Sequence, residues 1–221
     1  MNSKPSLWTM LTIGALLAAP AYLALVWPQL PAQIPTHFDA AGQANGFTAK
    51  ADIWRLCVAL PLGTFVLLTA LPYLDPKKRL NSGRVNYQKL RLALVAGMSG
   101  LSAYCLYVSL HPGAATQGGL TILLGMLFLG LGNYLTTVQP NYFVVIRTPW
   151  TLESPVVWAR TNRLGGRLFF LAGLVGVGLG FTTKAELGNT IMVGLVIGAA
   201  AAAWAYSYFA YRQEVRAAEL T

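Results

Sequence analysis

The chain has 221 residues, 55% hydrophobic and only 10% charged, whereas an ordinary soluble domain carries about 25% charged residues. Apolar runs of about 20 residues separated by short polar loops are what bilayer-spanning helices require, which excludes a simple soluble domain. The net charge of +9 sits in loops beside those runs, where a membrane protein records its orientation, so direct nucleic-acid binding is not expected.

Leu7 to Trp27, with Lys4 before it, forms the first span. Its apolar run continues past Ala18-Ala19-Pro20-Ala21 and outlasts the roughly 7–15-residue core of a signal peptide, so it reads as a retained anchor helix. Pro28 to Asp52 is an extracytoplasmic loop of about 25 residues. Pro28, Pro31 and Pro35 keep its first half extended, and Asn45-Gly46 reads as a turn. Ile53 to Leu74 is the second span, and a basic loop (Lys77, Lys78, Arg79, Arg84, Lys89) follows. The third span runs from Leu90 or Leu92 to Leu110, with Arg91 at its foot. Leu120 to Val138 is the fourth, rich in Gly125, Gly130 and Gly132, residues that permit close helix approach. Leu168 to Phe181, extended back through Leu164, is the fifth. There Gly173, Gly176 and Gly180 form a small-residue face, with Gly178 off it. Thr190 to Tyr211 is the sixth.

The expected fold is therefore an all-α integral membrane protein of about six transmembrane helices. With both termini inside, Lys4, the basic second-to-third connection through Arg91, Arg147, Arg160, Arg163, Arg167, Arg212 and Arg216 are cytoplasmic. Only Lys50, Arg55 and Lys184 then fall outside, a split that supports N-in/C-in topology. The organisation expected is an anchor helix over 1–27, the loop and second helix over 28–75, the basic loop over 76–91, and a four-helix region over 92–221.

That last region contains the stretch from Asn133 to Gly166, polar and aromatic-rich in an otherwise apolar half. Ser154-Pro155 reads as an N-cap with proline at the first helical position. A helix from there puts Trp158, Thr161, Asn162 and Gly165 near one face, and Arg160, Arg163 and Arg167 on another, toward lipid phosphates. Arg147, Trp158, Thr161 and Asn162 are expected to line a polar pocket at the cytoplasmic boundary; the competing reading is a basic loop anchored by tryptophans. Asn133 and Asn141 flank the end of the fourth span, where amides serve as caps or interhelical bonds. In the outer loop His37, Asp39 and Lys50 are the chemically able groups. His37 and Asp39 share a face of an extended segment, but two ligands without a third are a weak metal motif. Cys57 and Cys105 lie in apolar segments and read as small hydrophobic filler. No nucleotide loop or hydrolase motif is present, and no cofactor is expected.

Asn133-Tyr134, Pro140-Asn141-Tyr142-Phe143, Ile146-Arg147-Thr148-Pro149-Trp150-Thr151-Leu152, Trp158, Thr161, Arg163 and Gly165-Gly166 resemble the signature of the SdpI family of membrane immunity proteins. Ile34-Pro35-Thr36-His37-Phe38-Asp39, with Gly42, Gly46 and Lys50, resembles the short domain of unknown function that precedes it. The resemblance implies a multi-pass protein of the bacterial cytoplasmic membrane. It also implies protection from a secreted membrane-active peptide and, as in the founding system, sequestration of a cytoplasmic repressor. The implied functional residues are Asn133, Asn141, Tyr142, Arg147, Thr148, Pro149, Trp150, Thr151, Trp158, Thr161, Asn162 and Arg163. Two positions depart from the family pattern: Asn162 stands where a His is usual, and Val145 where a Gly is. The amide of Asn162 can share a binding role but not proton chemistry.

The leading expectation is toxin immunity or signal reception, with the bilayer, a peptide toxin and a repressor as partners. A small-molecule or peptide transporter is the alternative, against which stands the lack of Asp, Glu or Lys near the middle of any span. A membrane-interface enzyme is the third reading, and it lacks an evident nucleophile–base pair.

Overall fold

The computed structural model describes residues 6–39, 41–75, 80–81, 83–138, 140–141 and 146–219. Helix α1 (Leu7–Val26) is capped by Ser6, whose hydroxyl accepts from the Thr9 amide. A hairpin follows, β1 (Gln33–Phe38) antiparallel to β2 (Ala44–Ala49). The second span then comprises a short 3₁₀ turn, a π-helical segment over Arg55–Ala59 and helix α2 (Leu60–Leu74). Pro61 lacks the amide that a regular helix would aim at the preceding turn, and the widened segment lies just before it. Ser102 shares its hydroxyl hydrogen between the Leu56 carbonyl there (3.1 Å) and Met98 (3.0 Å).

Helix α3 (Val85–Leu110) and α4 (Gly119–Leu135) form the third and fourth passes. A one-turn helix α5 (Pro149–Glu153), then α6 (Pro155–Thr182) and α7 (Ala185–Glu219), complete the chain. Among the described residues, five helical stretches are long and apolar enough to cross a membrane; a sixth, Gly119–Leu135, has 17 residues and is shorter.

The sequence divides α6 into an interfacial piece and a span starting near Leu164, but the structure has one helix of 28 residues. Such a helix is about 42 Å long, more than the roughly 30 Å of a hydrocarbon core. The arginine-bearing first turns can therefore stand outside the apolar layer without a break. Helix α7 likewise starts earlier and ends later than expected. Arg91, expected at the foot of the third span, lies in the second turn of α3. It is inside the bundle and only 6% exposed. Its guanidinium donates to Thr9 Oγ1 of α1 (3.2 Å) and lies 5.3 Å over the Phe65 ring of α2.

The principal helix pair is α4 against α6, antiparallel along three glycine rungs. A Cβ on Gly118 would strike the Gly180 carbonyl, one on Gly125 would stand 2.8 Å from the Gly173 carbonyl, and one on Gly132 would stand 2.6 Å from that of Gly166. The reciprocal distances from Gly180, Gly173 and Gly166 are 2.7, 2.6 and 2.7 Å. A rung recurs every seven residues on both helices, the period that keeps one seam facing a partner. Gly176 faces Met192 of α7, and Gly178 meets nothing. Thr121 of α4 donates to buried Asn189 of α7 at 2.7 Å, tying the third member to the pair.

Candidate functional site

The stretch ahead of α6 is fastened down by hydrogen bonds its own residues supply. Thr148 caps α5: its hydroxyl accepts from the Thr151 amide (3.2 Å), and Thr151 Oγ1 accepts from the Thr148 amide (2.9 Å), a reciprocal capping box. Ser154 then caps α6, accepting from the Val156 and Val157 amides at 3.2 Å. Its own hydrogen goes to Glu214 Oε2 of α7 at 2.6 Å. Trp150 packs edge-on against Trp204 and Tyr208 of α7, with centroids 5.5 and 5.2 Å apart. The N-cap and first-position proline are as the sequence reads them; the acceptor on α7, sixty residues away, carried no local signal.

Trp158, Thr161, Asn162 and Gly165 do fall on one face, and that face is buried. Asn162 accepts the Ile146 amide (3.1 Å) and donates to the Trp158 carbonyl (3.1 Å), so its amide holds the incoming chain against α6. The two adjacent glycines divide the labour. Gly165 leaves room for Ile146 and Ala203, and Gly166 lets α4 approach. Trp158 Nε1 and Thr161 Oγ1 are buried with no hydrogen-bond partner among the described residues. Such groups are rare in folded proteins and each calls for an occupant or a role.

The remaining residues of the set lie elsewhere. Arg147, Pro149, Arg163 and Asn133 are exposed, as are Arg160 and Arg167, while Asn141 is buried. Arg147 is exposed next to Ile146, whose amide Asn162 accepts, while Trp158, Thr161 and Asn162 are buried. Tyr142 lies outside the described residues.

On the opposite side the hairpin lies over the helix ends. Ile34 is fully buried in a cluster with Leu23, Val26, Ile53, Cys57 and Leu106, and Phe38 meets Tyr104 edge-on at 5.8 Å. The turn is at Asp39–Gln43 rather than at Asn45-Gly46, which belong to β2. Asp39 makes it, with its carboxylate accepting the Gln43 amide at 2.8 Å. Gly42 completes it with φ 78°, in contact with Ala115 and Ala185. Gly46 instead gives space to His37 across the ladder, since a Cβ there would stand 2.8 Å from His37 Cβ. His37 Nδ1 pairs with Asn45 Oδ1 at 3.1 Å, so His37 and Asp39 serve separate structural contacts. Lys50 donates to the Leu30 carbonyl (3.1 Å) and lies over Trp27.

Beneath β1 is a cavity of ≈ 260 Å³ between α2, α3 and α4. Phe38, Leu56, Leu60, Leu101, Tyr104 and Leu120 make most of its wall; Thr36, His37 and Ser102 supply the polar groups.

Long apolar helices around a glycine ladder, with a small hairpin over one end, define a multi-pass α-helical membrane protein. Residues 137–208 match the SdpI/YfhL protein family, and residues 14–60 match the domain of unknown function DUF1648. The first match takes in α5, α6 and most of α7; the second begins within α1, earlier than the loop alone, and ends at Leu60, beyond it. The immunity protein SdpI of Bacillus subtilis (strain 168) is 32% identical over 82 residues, covering 37% of this chain and 39% of that protein. The aligned region thus spans well under half of that relative. No solved structure matches the chain.

Proposed function

We propose that this chain is an immunity and signal-receptor protein of the bacterial cytoplasmic membrane, oriented with both termini inside, that protects against a secreted membrane-active peptide. The observation that carries the reading is the apolar cavity under the hairpin. A peptide arriving from outside meets the hairpin first, and the cavity beneath it offers apolar walls with a few polar groups, the character of a ligand site. At ≈ 260 Å³ it is just below the range of about 300–1,000 Å³ for small-molecule pockets, which suits apolar side chains of a longer ligand.

Helix α7 supports the signalling half of the proposal. Its first residue, Ala185, touches the hairpin turn at Gly42, and its far end holds Ser154 through Glu214. Movement of the hairpin on ligand binding would act on α7 and through it on the stretch at Asn133–Gly166. A cytoplasmic repressor would be held there in the ligand-bound state.

Expression in a strain sensitive to the secreted peptide tests the reading, with survival as the readout. The parent chain should protect. Leu101→Trp, which projects a larger side chain into the cavity and narrows it, should insert and melt normally but protect poorly. Failure of the parent chain against any related peptide removes the immunity function, and full protection by Leu101→Trp removes the cavity from it.

A further inference from the structure

A second cavity, of ≈ 360 Å³, opens between α4 and α6 where the glycine ladder ends. Its lining is graded. Asn133 in the last turn of α4, Thr136 just past its end and Arg167 of α6 stand together, and Phe170 and Leu171 of α6 continue the wall as apolar surface. Gly132 and Gly166 bring the backbones together at this level without adding side chains, so the flanking residues rim a groove instead of filling it. Arg167 is exposed, and among the described residues neither its guanidinium nor the Asn133 side-chain amide makes a hydrogen bond. The Thr136 hydroxyl donates to the Asn133 carbonyl at 2.8 Å.

We propose that this groove binds one anionic phospholipid: its phosphodiester on Arg167 and the Asn133 amide, an acyl chain along Phe170 and Leu171. The charge and the order of the groups carry the assignment. A guanidinium and an amide are donors matched to phosphate oxygens, and charge-assisted pairs of this kind are the stronger hydrogen bonds. Arg167 is the third residue of a row with Arg160 and Arg163, all exposed on the early turns of α6, where a basic surface attracts anionic headgroups. The apolar half distinguishes a lipid from a free phosphate, which has nothing to place on Phe170 and Leu171. The negative end of the α4 dipole lies near Thr136 and weakens the anion's binding; the guanidinium offsets it. This assignment is independent of the toxin reading.

The test is native mass spectrometry of the full chain after equilibration with mixed phosphatidylglycerol and phosphatidylcholine. A retained phosphatidylglycerol adduct is expected, with phosphatidylcholine carried at least about tenfold less, because its choline ammonium offsets the phosphate charge beside the row of Arg160, Arg163 and Arg167. Arg167→Gln should lower phosphatidylglycerol retention about tenfold, and Arg216→Gln, which removes the same charge from the end of α7, should leave it unchanged. Leu171→Asn should weaken retention while keeping the cation, and inorganic phosphate should not displace the lipid. Equal loss in Arg167→Gln and Arg216→Gln would reduce the effect to diffuse charge and overturn the site. No preference between the two lipids, or displacement by inorganic phosphate, would overturn it as well.

Discussion

Gly132 and Gly166 meet backbone to backbone: a Cβ on either would stand within 2.7 Å of the other's carbonyl oxygen. No side chain fits there without separating α4 from α6. The same relation holds at Gly125–Gly173 and Gly118–Gly180. In a bilayer, where lipid tails are as apolar as leucine, close packing of this kind is a main source of helix association. Gly173→Leu should therefore destabilise the protein by about 1–3 kcal/mol or more, the usual cost of overpacking. Gly178→Ala, which meets open space, should be neutral or slightly stabilising. Thermal unfolding in detergent compares the two; equal melting would show that the ladder does not hold the pair.

Asn162 joins two segments that are sixteen residues apart. Asn162→Ala leaves the Ile146 amide without its acceptor, at a cost of about 1–3 kcal/mol for a buried donor. The loss should be local, since Ser154 and the capping box remain. Hydrogen exchange at the Ile146 amide should accelerate while the middle of α6 keeps its protection. Unchanged exchange at Ile146 would rule out the clamp.

The hairpin turn rests on the one glycine with a positive φ among the described residues, Gly42 at 78°. A side chain there adds roughly 1–2 kcal/mol of left-handed strain and collides with the Ala115 carbonyl. Gly42→Val should free the turn from Ala115 and Ala185, raising protease sensitivity around Asp39–Gln43 with no change in helix content. If the hairpin couples to the cytoplasmic stretch through α7, exchange near Ser154 should rise as well. Protease resistance equal to the parent would show that the turn is not docked as described.

Thr161 presents a fully buried hydroxyl with no partner among the described residues. Replacing an unpaired buried polar group with an apolar one of the same shape is nearly neutral or stabilising, so Thr161→Val should melt at or above the parent. If Thr161 and Trp158 Nε1 serve a ligand, the same variant should lose protection in the survival assay despite that stability. A lowered melting temperature would instead point to a structural bond for this hydroxyl.

Much of the site could be read locally. Ser154-Pro155 gives a helix start at the right residue because capping is decided by the backbone of one turn. The face of Trp158, Thr161, Asn162 and Gly165 follows from helical periodicity alone. Asn45-Gly46 misled for a matching reason. It has the composition of a turn, but the ladder assigns Gly46 to the position opposite His37, where a missing side chain serves packing. Arg91 shows the same limit: its place near the start of α3 is local, but its burial against Thr9 of α1 and Phe65 of α2 is a contact between distant segments.

The sequence by itself determined the membrane class, the spans and the residues with chemistry to offer. These depend on run length, charge and spacing, which are properties of neighbours along the chain. Only the tertiary structure decided which glycines form rungs, that Ser154 answers to Glu214, and that Asn162 holds Ile146 while Arg147 stands exposed. It also placed the two cavities, one under β1 and one beside the last rung. Each of these is a contact between distant segments. The seven-residue spacing at Gly118, Gly125 and Gly132 and at Gly166, Gly173 and Gly180 was present in the sequence, but a spacing names a face and not its partner. Pairing those faces requires the packing of α4 on α6, where the absence of side chains lets two backbones touch.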